Sequence, residues 1–291
     1  MTTLAQIAID DNESPGPTQR MGRILLNSGK IKPTDIKTIV ELQNKRGMRF
    51  GEAARKLGLV TTADVRAALA KQFACTPVPE KGSRLSRALT AAFLPQSAEV
   101  EALRSLRSEL MLRYFNASPH LTLALCGTDD ARGIAQTTAN LAIVFSQLGL
   151  RTLLIDGNLR EPQLHNLFGI GDRHPGLSDV IAGRAQPQPV EVAPLHSLWL
   201  VHAGTRAPNP QELLASRNYG ERMDELTNQF DVTLINTSPM KRTRDAQLIA
   251  AHCGAALLVA QQHKSRMKEV ESMCANLWGV GVRLLGVALR Q

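Results

Sequence analysis

The stretch from Leu121 to Ala142, LTLALCGTDDARGIAQTTANLA, constrains the chain more than any other. Leu121 to Leu125 is an unbroken apolar run of strand length, which predicts a strand buried on both faces. A loop containing Gly127 and Gly133 follows. Gln136 to Leu148 is then amphipathic at helical spacing and runs into Gly149, which predicts a helix stopped by glycine. A strand, a glycine loop and a helix in that order turn backbone N–H groups and a helix N-terminus toward one point, the arrangement that holds a phosphate.

Five further apolar runs, Arg151 to Asp156, Leu198 to Val201, Asp231 to Ile235, Ala255 to Ala260 and Leu284 to Leu289, predict the remaining strands of an α/β domain. A chain of 291 residues is long for one small domain and suggests two. No run approaches the apolar length of a membrane span. Residues 1–19 have neither a basic start nor a long apolar core and are expected to be a disordered tail rather than a secretory signal. The net charge of +8 is spread along the chain, and only two Trp and two Tyr accompany it, which argues against nucleic acid as a partner. Cys75, Cys126, Cys253 and Cys274 are far apart and lack metal-ligand spacing, so buried inert thiols and a cytoplasmic address are expected.

Residues 20–75 contain a repeat of 29 residues, Met21 to Gln43 matching Phe50 to Gln72. Gly22 matches Gly51, Gly29 matches Gly58, Asp35 matches Asp64 and Gln43 matches Gln72. Each copy predicts a short helix stopped by Gly and a second helix capped by Thr34 or by Thr61 and Thr62. Residues 76–97, rich in Pro, Gly and Ser, read as a linker to a second domain at 98–291. The repeat resembles the N-terminal domain of type II secretion and pilus-extension ATPases. That resemblance brings a cyclic di-GMP reading at Arg20, Gly22, Arg49 and Gly51. The other reading is that the repeated Gly and Gln shape and tie two helical hairpins that dock a partner.

Residues 98–291 resemble the bacterial tyrosine kinases (BY-kinases). Seven residues before Asn140-Leu141-Ala142 the family has a Gly-Lys-Ser/Thr triplet; here it is Gly133-Ile134-Ala135. Glu101, Arg104 and Arg107 match a Glu-x-x-Arg-x-x-Arg element that helps to form a ring-shaped homo-oligomer; by spacing alone they share one helix face. Asp156-Gly157-Asn158-Leu159-Arg160 matches Asp-x-Asp-x-Arg, and Asn236-Thr237-Ser238-Pro239 matches Asp-x-x-Pro. With the repeat included, the chain is similar to EpsG-like proteins of exopolysaccharide loci. The resemblance implies a P-loop NTPase-like, mainly parallel sheet with helices on both faces. It also implies ATP and Mg²⁺ as ligands, and a membrane-anchored Wzz-type polysaccharide co-polymerase as partner at the inner-membrane face.

The same comparison implies a degenerate nucleotide loop, formed by Gly127, Thr128, Gly133, Ile134 and Ala135. The phosphate-binding Lys is replaced by Ile134, the Mg²⁺-binding hydroxyl by Ala135, and two acids by Asn158 and Asn236. Asp156 and Arg160 remain as residual catalytic residues, Asp156 also as the residual metal ligand. An amide is a poor metal ligand and no base, and phosphoryl transfer depends on these electrostatic parts. The expectation is a pseudokinase, with an active autokinase of atypical site or a cyclic di-GMP-responsive regulator as alternatives. Lys241, Arg242 and Arg244 read as a solvated basic loop that could instead replace the missing cation.

Overall fold

The structure, a computed structural model, describes residues 21–62, 64, 65, 68, 79, 82–118, 120–171 and 175–291. The expected tail at 1–19, Arg20 and Cys75 lie outside the described residues. The chain divides into two compact units, Met1–Pro77 and Val78–Gln291.

In the first unit, α1 (Met21–Asn27), α2 (Pro33–Arg46) and α3 (Phe50–Lys56) close around Ile24, Leu25, Ile31, Ile39, Ala53, Ala54 and Val60. Gly29 and Gly58 adopt left-handed φ of 68° and 70° after α1 and α3, so the repeat fixes two identical helix stops. The cap of α2 is Lys32 rather than Thr34: its N–H donates to Asp35 Oδ2 at 2.7 Å. The matching Asp64 accepts from Thr61 N at 2.8 Å, and Thr61 Oγ1 accepts from Asp64 N. The two repeats interlock reciprocally. A Cβ on Gly22 would lie 3.2 Å from the Phe50 ring, and one on Gly51 would lie 2.9 Å from Met21 Sδ and 2.8 Å from Val65 Cγ1.

The second unit is built on a seven-stranded sheet in the order β3-β4-β2-β5-β1-β6-β7. The strands are β1 (Leu121–Gly127), β2 (Thr152–Asp156), β3 (Val190–Glu191), β4 (Leu198–Val201), β5 (Val232–Asn236), β6 (Ala255–Gln261) and β7 (Arg283–Arg290). All neighbours pair in parallel except β3 with β4. Side chains alternate between faces. Leu123, Leu125, Leu154 and Leu234 enter one apolar layer; Ala124, Cys126, Ile155 and Ile235 enter the other. The first layer is covered by α4 (Thr90–Phe93), α5 (Ala98–Arg113), α6 (Ala131–Ser146) and α7 (Leu164–Phe168). The second is covered by α8 (Leu177–Ile181), α9 (Pro210–Leu214), α10 (Arg217–Thr227), α11 (Asp245–Cys253) and α12 (Met267–Trp278). Among the described residues no helix is long and apolar enough to cross a membrane.

Two segments differ from the sequence reading. Residues 82–97, expected as the second half of a linker, contribute Leu85, Leu89, Ala91, Ala92 and Phe93 to the first layer. The buried Asn140 side chain fastens them: its Oδ1 accepts from Ala91 N at 2.8 Å and its Nδ2 donates to Ala88 O at 3.0 Å. Helix α6 begins five residues before the expected Gln136, because Asp130 caps it through Gly133 N at 2.9 Å.

The reciprocal packing of the repeat carries a prediction. Gly51→Ala is expected to cost about 1–3 kcal/mol through overpacking against Val65 and Met21. Gly22→Ala should cost less, since the Phe50 ring edge has more room to shift. Hydrogen exchange at the core Ile39 amide in each full-length variant checks the order; equal protection in both would contradict it.

Candidate functional site

Parallel strands β2, β5 and β1 lie side by side, and their C-terminal ends bring Asp156, Asn236 and Gly127 together at one edge of the sheet. Asp156 pairs in register with Asn236. This edge is where α/β sheets place their ligands.

Asp156 is completely buried. Its Oδ1 accepts from Asn236 Nδ2 at 2.8 Å and Asn158 N at 3.3 Å, and its Oδ2 from Gln163 N at 3.0 Å and Leu164 N at 2.9 Å. Burial pushes its carboxyl above the usual range, and these N–H donors act against that push. Asn236 therefore gives Asp156 a hydrogen bond where a second acid would give it repulsion. Asn236 Oδ1 has no hydrogen-bond partner among the described residues. Asn158 is also buried, and its amide closes a ring on Glu161: Nδ2 donates to Glu161 O at 2.8 Å and Oδ1 accepts from Glu161 N at 3.1 Å. A carboxylate could make only one of those two bonds.

The Arg160 guanidinium is turned to Asp245, donating through Nε at 2.7 Å and Nη2 at 3.2 Å. Asp245 is 1% exposed, so this pair neutralises an otherwise isolated buried acid. The expected basic loop is exposed and engaged elsewhere: Lys241 pairs with Glu269 at 3.0 Å and Arg242 with Glu161 at 3.3 Å. Met240 N and Lys241 N hydrogen-bond to Gly127 O and Thr128 O, which ties this loop to the glycine loop.

Inside the glycine loop, Ile134 is 1% exposed and belongs to the apolar layer under α6. Its side chain folds against Gly127, where a Cβ would stand 2.7 Å from Ile134 Cγ1. Ala135 is buried beside it. The N–H of Gly133 is already taken by Asp130 Oδ1, and Asp130 Oδ2 forms a short ion pair with Arg290 of β7. A Cβ on Gly133 would fall on the Arg290 guanidinium. The anion seat of the loop is thus filled by the chain's own carboxylate and guanidinium. Sequence reading missed both residues. An Asp three positions before Gly133 is a helix N-cap signal that would have found Asp130; nothing in the sequence points to Arg290.

Along α5, Glu101 and Arg104 pair with each other at 3.1 Å near the surface. Arg107, expected on the same open face, reaches back to Val144 O at 2.8 Å, at the end of α6. In the first unit, Gly22 and Gly51 are packed against Phe50 and Met21, and Arg49 is exposed at the start of α3.

No family model matches the chain. It is 34% identical over 205 residues to the tyrosine-protein kinase wzc of Salmonella typhi, across 69% of this chain and 28% of that one. With CapB of Staphylococcus aureus, which shares the tyrosine-protein kinase name, it is 31% identical over 199 residues, covering 68% of this chain and 86% of CapB. The kinase domain of Escherichia coli tyrosine kinase ETK superposes with a TM-score of 0.66 at 28% identity, over 73% of this chain and 82% of that domain. The chain belongs to the bacterial tyrosine kinase family. It spans a little over a quarter of the length of wzc.

As a BY-kinase relative the chain has the P-loop NTPase-like fold, and the family implies ATP and Mg²⁺ at the site just described. The residues present do not fit that pair. An incoming phosphate would meet the Asp130 carboxylate at the helix N-terminus and no Lys, because Ile134 is in the core. A metal would find no hydroxyl at Ala135, an amide at Asn236 and a carboxylate at Asp156 already bonded to four N–H groups. Among the described residues no group of three or more His, Cys, Asp or Glu is placed to hold a metal ion.

Asn236→Asp tests this reading of the buried pair. Replacing the donor with a second acid is expected to cost about 2–4 kcal/mol near neutral pH. The two carboxyls would share a proton in the folded state that the unfolded chain releases near its ordinary value of about 3.9. The folded state then binds more protons, so stability falls as pH rises. Urea midpoints should show a small deficit at about pH 4 and the full deficit at about pH 8; a pH-independent deficit would contradict the pairing.

Proposed function

We propose that this chain is a pseudokinase, a BY-kinase homologue that serves as a structural or regulatory subunit of exopolysaccharide biosynthesis and export. The observation that carries the reading is the 2.8 Å hydrogen bond from Asn236 Nδ2 to Asp156 Oδ1. Where a kinase needs open acids to hold a metal, this bond satisfies the remaining acid from within. Phosphoryl transfer is almost entirely positioning and charge stabilisation. A site with an aliphatic residue for its Lys, an alanine for its hydroxyl and two amides for its acids supplies little of either.

The tyrosines support the same reading. Tyr114 and Tyr219 are both buried, and Tyr114 Oη donates to Thr122 O at 2.9 Å. Burial pushes the Tyr114 phenol up to about 12. Neither offers a hydroxyl to another active site without unfolding. The partner in this reading is a membrane-anchored, Wzz-type chain-length co-polymerase, which places the chain at the cytoplasmic face of the inner membrane. The Glu101 and Arg104 face of α5 contacts a second copy in a homo-oligomer, and the helical repeat unit docks a partner.

Calorimetric titration of the full chain with ATP and Mg²⁺, carried beyond ordinary kinase affinities and repeated with Asp156→Ala, tests the reading. No saturable heat and no phosphotyrosine by mass spectrometry after incubation are expected. Saturable binding that disappears in Asp156→Ala, or ATP-dependent phosphate on any tyrosine, would establish the active-kinase alternative instead.

A further inference from the structure

Beside the turn that follows Asp156, an open groove of about 640 Å³, within the range of small-molecule sites, is lined by His165, Asp179, Arg184 and residues 202–206 among others. Its frame is built from crossed backbone. Leu177 N and Ser178 N donate to His202 O and Ala203 O at 2.8 and 2.9 Å, and Ser178 Oγ donates to Thr205 O at 2.6 Å. Only glycine permits the approach: a Cβ on Gly176 would fall on the backbone of Gly204, itself at φ +83°.

The polar groups that line this frame are mostly donors. His202 is 5% exposed. Its Nδ1 accepts from Gly204 N at 3.0 Å, which puts the ring proton on Nε2, and Nε2 has no partner among the described residues. Arg184 and Arg206 are exposed and enter no ion pair among the described residues, unlike Lys241 and Arg242. His165 lines the same groove. The acid there, Asp179, accepts through Oδ2 from Gly176 N at 3.2 Å and Thr205 N at 3.0 Å. Burial opposes its ionisation, but those bonds and the Arg184 charge hold its carboxyl below the usual range. Its charge is met within the frame by those N–H groups and in part by Arg184, and Arg184, Arg206, His165 and His202 all line the groove, with the His202 donor just beneath its wall.

We propose that this groove binds the phosphate group of a small, soluble phosphate monoester. Arg184 and Arg206 meet the charge of the dianion, and His202 Nε2–H gains the acceptor that the fold does not give it. More than one cation facing one cavity suits a dianion better than a carboxylate. Nε2 is screened from water, so a ligand oxygen reaches it as the groove wall yields, and the imidazole itself is the reporter of that event.

The test follows the ring nitrogens of ¹⁵N-histidine-labelled full-length protein by NMR during titration with inorganic phosphate and with glucose 1-phosphate. A saturable shift at His202 is expected with both, tighter for the sugar phosphate. Arg206→Ala, an exposed change that leaves the frame intact, should weaken binding about ten- to hundredfold, the worth of a hydrogen bond to a charged group. His202→Leu should weaken binding similarly, and His202→Gln, which keeps an N–H donor, should recover part of it. No saturable shift at His202, or binding indifferent to Arg206→Ala, would overturn the proposal. So would binding confined to phosphatidylcholine vesicles carrying phosphatidic acid, which would assign the phosphate to a lipid.

Discussion

A carboxylate sealed from water at the end of β2 is the constraint around which the second unit is arranged. An isolated charge in such a place would cost several kcal/mol, so Asp156 requires donors on both oxygens. Three come from the backbone of the turn after β2, at Asn158, Gln163 and Leu164, and fix the path of that turn into α7. The fourth is the Asn236 amide, which clamps the end of β5 to the end of β2. Once the turn is fixed, Asn158 closes on Glu161 and Arg160 emerges beside Asp245. Glu161 is then placed to meet Arg242 of the loop that follows β5.

The same principle explains why the departures from the BY-kinase pattern occur together. A phosphate loop with Lys, a clustered set of acids and a bound metal is balanced only when its ligands are present. Removing the Lys alone would leave three acids at the ends of adjacent strands with no cation among them, a strongly repulsive set at close range. With Asn at 158 and 236, one acid remains, and it is neutralised by dipoles rather than by ions. At the loop itself Asp130 takes the helix N-terminus, a position that favours negative charge, and Arg290 balances Asp130. Ile134 adds an apolar side chain to the core where a Lys would have to leave it. The site is self-sufficient instead of ligand-dependent.

Much of this was legible in the sequence because it depends on local pattern. Buried strands announce themselves as short apolar runs, and Leu198 to Val201 matches β4 residue for residue. The identity of Ile134, Ala135, Asn158 and Asn236 was enough to expect missing charges. What those residues do instead was not legible, since an amide looks the same whether it fills a gap or makes a bond. The partners that decide it lie 80 residues apart for Asp156 and Asn236 and 160 apart for Asp130 and Arg290. Residues 82–97 were misread for a related reason: Leu85, Leu89 and Phe93 pack into the core and Asn140, some fifty positions away, holds the backbone at Ala88 and Ala91, while no periodicity of their own announces it. His202 gave no signal at all, because an unpartnered ring nitrogen is a property of the folded surroundings.

In the helical unit the matched glycines of the repeat do structural work. Gly22 and Gly51 match, and so do the residues preceding them, Met21 and Phe50. Phe50 rests on Gly22 and Met21 on Gly51, so each copy supplies the large side chain for the other's small one. A single copy could not satisfy its own glycine, and the pair buries one shared core, as stacked repeats must. At the helix starts each copy instead serves itself, Asp35 and Asp64 reaching back to accept from Lys32 N and Thr61 N. The matched Gly and Asp positions are therefore accounted for by pairing the copies and capping their helices. Arg49, matched to Arg20 in the repeat, is exposed at the start of α3, so a partner surface in this unit draws on side chains that neither pairing nor capping uses.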